Sequence, residues 1–313
     1  MSIASSDTQL IRLGTRSSPL AMVQAEETRA RLCAAHGWPE EAVELVPVVA
    51  SGDKVLDRPL AEIGGKALWT KELDAWLAEG RIDASVHSLK DVETLRPAEF
   101  AFGAFLERAD RRDRLIGATS LADLPQGARL GTSAPRRAAQ ALHLRPDLKV
   151  VSLRGNVATR LGKLAAGEVD ATFLAAAGLS RLGQHDVGVA LDPADWLPAP
   201  SQGAIAVEYR AGDDRVLGLL STIDHVPTRA EVLAERALLE GLGGTCHSPV
   251  AVLCVHDGEE LRLSAALYSP DGRDKVEGEA RFAPGDSRAP AELAAHLLAQ
   301  APEAIRATFN GAG

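Results

Sequence analysis

Residues 77–84 read Leu-Ala-Glu-Gly-Arg-Ile-Asp-Ala, and residues 164–171 read Leu-Ala-Ala-Gly-Glu-Val-Asp-Ala. Each has the form of a helix end, a glycine C-cap and the start of a strand. A second matched pair lies upstream of these in the same order. Leu13-Gly14-Thr15 leads to a proline-started helix at Ser18-Pro19, and Leu130-Gly131-Thr132 leads into Ser133-Ala134-Pro135-Arg136-Arg137. Two anchors repeated in one order mark an internal duplication. The duplicated strand, helix and strand predict an α/β fold of two similarly built lobes facing each other across a cleft.

Working outward, strands are expected at 10–15, 43–50, 100–106, 128–132, 149–153 and 173–176. Ser18 and Pro19 start a helix carrying Leu20, Val23 and Leu32. Trp69, Leu73, Trp76 and Leu77 mark one face of another, preceded by the polar loop 51–54 and the flexible Gly64-Gly65-Lys66. Residues 107–114 carry Arg108, Arg111, Arg112 and Arg114, which reads as a solvated charged crossing or a hinge. The Pro-rich stretch 197–201 and the apolar strand 202–209 read as a return to the first lobe. Thr228 to Glu231 has the form of a capping box that starts a helix ending near Gly241. Strands at 250–256, 261–269 and 275–282 and a helix at 290–305 complete a smaller α+β unit. The expected layout is residues 1–107 plus 203–222 for lobe 1, 108–202 for lobe 2 and 223–313 for the third domain.

The chain has 313 residues, 46% of them apolar, enough for several cores. Its formal charge of −9 argues against general nucleic-acid binding, which needs a basic face. An anionic ligand is still compatible, because distant surface charges are screened beyond about 8 Å and a few arginines in a cleft set the local sign. The three cysteines, Cys33, Cys246 and Cys254, lack metal-ligand spacing, so no metal site is expected. The first residues have no basic n-region or apolar core, and no apolar run reaches membrane-spanning length. A soluble, cytoplasmic, monomeric protein is the expectation.

Chemistry is sought at strand exits, where open α/β sheets bind ligands. Lys90 and Asp91 follow the strand that begins near Asp83, and they read either as a ligand-facing pair or as a surface ion pair. Arg16, Ser17 and Ser18 form a turn that can seat a carboxylate or phosphate, or simply cap the helix. Arg136, Arg137, Arg154 and Arg160, with Lys163, bring positive charge to the second lobe, where guanidinium forks suit carboxylates unless Asp and Glu occupy them. Cys33 and Cys254 sit in apolar patterns and read as packing residues. Cys246, between Gly243-Gly244-Thr245 and His247-Ser248-Pro249, reads either as a nucleophile or attachment point or as a further packing residue.

Six motifs in order, from Leu13 to Ala21, Gly64-Gly65-Lys66, Val86 to Asp91, Ser152 to Val157, Ala177-Gly178-Leu179 and Gly243 to Cys246, resemble the porphobilinogen deaminase family. That resemblance implies periplasmic-binding-protein-like lobes and a dipyrromethane cofactor joined by a thioether to Cys246. It implies stepwise condensation of four porphobilinogen molecules with loss of ammonia, then hydrolytic release of hydroxymethylbilane. By position it implies Asp91 as the catalytic carboxylate. Ser88, Lys90, Thr132, Ser133, Arg136, Arg137, Arg154 and Gly155 would hold the cofactor. Arg16, Ser18, Gln24, Lys66, Arg160 and Gln202 would hold the substrate. Departures from the family's pattern are Ala134 for a common serine, Trp69 for phenylalanine, Glu93 after Val92 where proline is frequent, and Thr245 and Ser201 for glycines. A non-catalytic bilobed polycarboxylate-binding or sensor module is the competing class, and it would leave Cys246 idle.

Overall fold

A computed structural model describes residues 10–49, 70–245 and 247–309. The loop 51–54, Gly64-Gly65-Lys66, Trp69 and Cys246 lie outside the described residues. Among the described residues the strands form three sheets.

The first sheet is built from β1 (Ile11–Arg16), β2 (Val43–Val48), β3 (Ala84–Ser88), β4 (Phe100–Phe105) and β10 (Ile205–Arg210), in the order β2-β1-β3-β10-β4. The second uses β5 (Asp113–Ile116), β6 (Arg129–Gly131), β7 (Lys149–Val151), β8 (Ala171–Ala175) and β9 (Val189–Ala190), in the order β7-β6-β8-β5-β9. In both, three parallel strands alternate with helices, and two further strands join with an antiparallel neighbour. The helices are α1 (Pro19–His36) and α2 (Lys71–Ala78) in the first lobe, and α3 (Pro135–Leu144), α4 (Val157–Ala165) and α5 (Ala176–Arg181) in the second.

The duplicated segments occupy equivalent places down to the register. Leu13 pairs with Ala84 in one lobe, and Leu130 pairs with Ala171 in the other. The aspartate of each repeat has one job: Asp83 accepts from the Arg12 backbone N–H at 2.8 Å, and Asp170 from that of Arg129 at 2.6 Å. Gly80 and Gly167, at φ 71° and 72°, turn the chain out of each helix in a conformation that glycine adopts without strain. The glycine of each Leu-Gly-Thr lets its neighbours pack closely. A Cβ on Gly14 would lie 2.3 Å from Ile82, and one on Gly131 would lie 3.0 Å from Val169, the matching residue of the repeat.

The third unit packs α7 (Val226–Gly241) and α8 (Arg288–Gln300), which follow α6 (Asp214–Leu220) in the chain, against β11 (Val250–Asp257), β12 (Glu260–Tyr268) and β13 (Lys275–Phe282). Two boundaries here correct the expectations from sequence. Helix α7 starts at Val226, capped by His225, because Pro227 fits the first turn and the Thr228 hydroxyl accepts from the Arg108 N–H instead of capping. The final helix stops at Gln300 and α9 (Glu303–Arg306) follows. Pro302 has no N–H to donate, and the residue before a proline leaves the α region, as Ala301 does with ψ 134°.

Residues 107–114 are only in part the solvated crossing allowed for by their charge: Arg112, 43% exposed at its side chain, pairs with Asp110 at the surface. Arg108 is buried, donating to both oxygens of Glu235 at 2.8 and 2.9 Å and to the Gln202 carbonyl at 2.9 Å. Glu235 also accepts from the N–H groups of Ser201 and Cys254. One buried glutamate of the third unit therefore fastens both chain segments that pass between the lobes.

Candidate active site

The ends of β1 and β3 bring Arg16, Ser18, Ser88, Lys90 and Asp91 to one rim of the first lobe. Ser18 caps α1 through the Ala21 N–H, and the Ser88 hydroxyl donates to Gln24 Oε1 at 2.9 Å. A short 3-10 turn over Leu89–Asp91 carries the chain out of β3. It separates the two charged neighbours. Lys90 Nζ donates to Gln202 Oε1 at 3.4 Å, while Asp91, 38% exposed at its side chain, lies 3.9 Å from Arg16 Nη1. The surface ion pair between adjacent residues is thus replaced by two separate engagements. Arg16, Gln24, Thr70, His87, Ser88 and Asp91 line a small recess at this point.

The second lobe faces it with the ends of β6 and β7. The Thr132 hydroxyl accepts from the Ala134 N–H, and the hydroxyls of Ser133 and Ser152 lie 3.0 Å apart. Ala134 occupies the N-cap of α3 and supplies no side-chain bond there. Arg136 and Arg137 turn inward: both meet Asp113, at 2.7 Å each, and donate to the carbonyls of Leu197 and Phe173. Their Nε atoms are buried with no hydrogen-bond partner among the described residues. Gln202 Nε2 and Trp196 Nε1 donate to the same aspartate. Arg154 is buried, and Arg160 Nε donates to the carbonyl of Gly155. Only glycine fits at 155, where φ is 113° and a Cβ would lie 2.6 Å from the Thr159 side chain.

The electrostatics follow from crowding these cations away from water. Burial, with Arg137 nearby, pushes the Lys90 ammonium down to about 8 against the pull of Asp91 and Asp113. Burial likewise lowers Arg160 to about 10, with Arg137 and Arg154 adding to it and Asp91 opposing. Burial would raise Asp113, but Arg136 and Arg137 outweigh it and hold the carboxyl well below its ordinary range. Among the described residues of the site, positive charge is therefore in excess. A flexible polycarboxylate is the ligand that such a cleft stabilises, since charge-assisted bonds contribute about 1.5–3 kcal/mol each.

Several groups around the site were not marked by the sequence. Asp113 lay inside an arginine run and gave no sign of being a hub. Glu208, alone in an apolar strand, was a usable signal of a buried pair. It accepts both Arg96 Nε and Nη2 at 2.8 Å and lies 3.5 Å from His87. Burial would lift its carboxyl, yet His87 beside it and the bonds from Arg96 hold it down at about 2. Arg236 of α7 donates to the carbonyls of Val92, Glu93 and Thr94, and the Thr94 hydroxyl donates to the carbonyl of Gly244 at 3.0 Å. The aspartate loop is thereby bonded directly to the loop that leads to Cys246.

Fold and site together define a bilobed α/β protein whose described strand ends set a partly exposed carboxylate, Asp91, among cations suited to a polyanion. Comparison with known proteins narrows this class. A family model described as "Porphobilinogen deaminase, dipyromethane cofactor binding domain" matches residues 11–218, and "Porphobilinogen deaminase, C-terminal domain" matches 229–300. The chain belongs to the porphobilinogen deaminase family. It is 58% identical over 305 residues to the porphobilinogen deaminase of Sphingopyxis alaskensis, covering 96% of each chain. It is 46% identical over 296 residues to that of Paracoccus denitrificans, covering 93% of this chain and 95% of the relative. Among solved structures, the periplasmic VFT2 domain of Bordetella pertussis BvgS aligns with 68% of this chain and 86% of its own at 15% identity and a TM-score of 0.40. A periplasmic substrate-binding protein of an ABC transporter from Coxiella burnetii aligns with 72% and 94% at 19% identity and a TM-score of 0.41. Among the described residues no helix is long and apolar enough to cross a membrane.

Proposed function

We propose that this protein is a hydroxymethylbilane synthase, a transferase that joins four porphobilinogen molecules head to tail and releases the linear tetrapyrrole by hydrolysis. The observation that carries the reading is the excess of buried cations around one accessible aspartate, in a chain of this family. Each porphobilinogen brings an acetate and a propionate, so a growing chain adds two negative charges per unit, and the cleft is short of negative charge.

The residues fit a dipyrromethane held between the lobes. When bound through a thioether to Cys246, it supplies the pyrrole carbon to which the first substrate is joined. Lys90 and Arg154 would hold its carboxylates, Arg136 and Arg137, already paired with Asp113, would add positive charge and the Nε donors that lack a partner among the described residues, and Ser88, Thr132, Ser133 and Gly155 would shape the cradle. Arg16, Ser18, Gln24, Lys66, Arg160 and Gln202 bind and orient the incoming substrate. Asp91 accepts the pyrrole N–H, stabilises the cation left when ammonia departs from the aminomethyl carbon, and takes up the proton released as the new carbon–carbon bond forms. Lobe 1 (residues 1–107 plus 203–222) presents the aspartate, lobe 2 (108–202) the arginines, and the third domain (223–313) the cysteine. The other two thiols are unsuited to attachment, since both are buried and burial raises each.

Intact mass tests this. The purified chain should exceed its sequence mass by one dipyrromethane, and Cys246→Ala should carry none and turn over no porphobilinogen. An active chain without the added mass overturns the attachment.

Lys90 gives a second expectation. In cofactor-free protein near pH 9 it is largely neutral, whereas in the unfolded chain it is charged; between about pH 8 and 10.5 the unfolded state binds more protons, so its contribution to stability rises with pH. A bound polycarboxylate reverses the depression. Cofactor-loaded protein should therefore bind a fraction of a proton more near pH 9 than cofactor-free protein, measured by parallel potentiometric titration, and Lys90→Met should remove the difference.

A further inference from the structure

Two residues beyond Asp91, the side chain of Glu93 is the centre of a clamp. Thr70 Oγ1 donates to its two oxygens at 3.1 and 3.0 Å, and Arg96 Nη1 donates to Oε2 at 2.7 Å. Arg96 is itself held on its other side by Asp74 at 2.6 Å and by Glu208, which His87 approaches. Thr70, the N-cap residue of α2, is fully buried and lines the recess beside Asp91. The glutamate thus ties the segment leaving Asp91 to the start of α2 and, through Arg96, to β10.

Among the described residues, little holds Asp91 directly. Arg16 stands 3.9 Å away, and the Val92 N–H closes the 3-10 turn on Leu89. What fixes its place is the chain that follows, gripped at its carbonyls by Arg236 and at its one acidic side chain by Thr70 and Arg96. A displacement of about 1 Å in a reacting group can cost about a hundredfold in rate. Removing Glu93 leaves Arg96, 8% exposed at its side chain, its pairs with Asp74 and Glu208, so the cost to global stability stays well below that of a buried charge left unpaired.

We propose that Glu93 is a positioning residue for Asp91, acting through Thr70 and Arg96. This rests on the reading of Asp91 as the reacting carboxylate. Glu93→Ala should lower kcat roughly tenfold with KM for porphobilinogen nearly unchanged and the fold retained at a somewhat lower melting temperature, because the loop loosens while the substrate's carboxylate anchors stay. Glu93→Gln, which still presents an oxygen to Thr70 or Arg96, should recover most of the rate. Thr70→Val removes the hydroxyl at nearly constant volume and should lower kcat similarly, and the double variant should be no worse than either alone. The inference is overturned if Glu93→Ala keeps kcat within about twofold of the parent, or if the two losses multiply in the double variant. Should Glu93→Ala fail to fold, Thr70→Val and Glu93→Gln decide the matter by the same kcat and KM readings. A parent protein that consumes no porphobilinogen would instead overturn the functional reading itself.

Discussion

Asp91→Asn is expected to fold, to bind dipyrromethane and to lose about 10²- to 10⁴-fold in kcat, the range set by removing a positioned proton acceptor. Folding should survive because the side chain is 38% exposed and its ion pair with Arg16, at 3.9 Å, contributes little. Cofactor retention should survive because the arginines that grip carboxylates belong mainly to the other lobe. The amide keeps an oxygen for a pyrrole N–H but has no charge to offset a developing cation and cannot take a ring proton. Steady-state consumption of porphobilinogen, with the retained pyrrole measured by mass, reads both halves of the expectation. Near-normal turnover in this variant would remove Asp91 from its role.

The second large effect belongs to Asp113. Four donors converge on this buried carboxylate: Arg136, Arg137, Trp196 and Gln202. Asp113→Ala leaves two guanidiniums buried without their counter-ion and should destabilise the protein by about 3–5 kcal/mol in urea unfolding, the cost of breaking a buried pair from one side. Lys90, whose proton Asp113 helps to hold, should lose it at lower pH still. Because the native carboxyl is held below its unfolded value, the stabilisation is present above the ordinary carboxylate range and is lost as pH falls through the native value. Asp113→Asn, which keeps the acceptor oxygen but not the charge, should fall between the two. A loss below about 1 kcal/mol in Asp113→Ala would mean that the arginine pair is held by other groups.

The two largest effects differ in how far the sequence foresees them. Asp91 is legible because it leaves a strand in a short charged turn, and strand exits are where open sheets do chemistry. Asp113 is not, because an aspartate among arginines reads as solvated charge until the fold buries it. The same holds for Arg136 and Arg137, whose place at the start of a helix follows from Pro135 while their inward direction does not. Thr228 and Glu231 look like a capping box, yet the hydroxyl serves the Arg108 N–H and the carboxylate faces Arg108 and Arg111. Glu93 can be seen as a departure from the family's pattern, but its meaning needs Thr70 and Arg96 beside it.

Local signals were enough for the duplicated lobes, the return strand and the turns that start α1 and α3. Strand period, glycine after a helix and proline at its start act over a few residues and leave their pattern in the chain itself. Which charges meet was decided only by the tertiary structure. Pairing a side chain at 113 with others at 136, 137, 196 and 202, or one at 235 with 108 and 201, depends on long-range packing that excludes water and makes each unpaired charge costly.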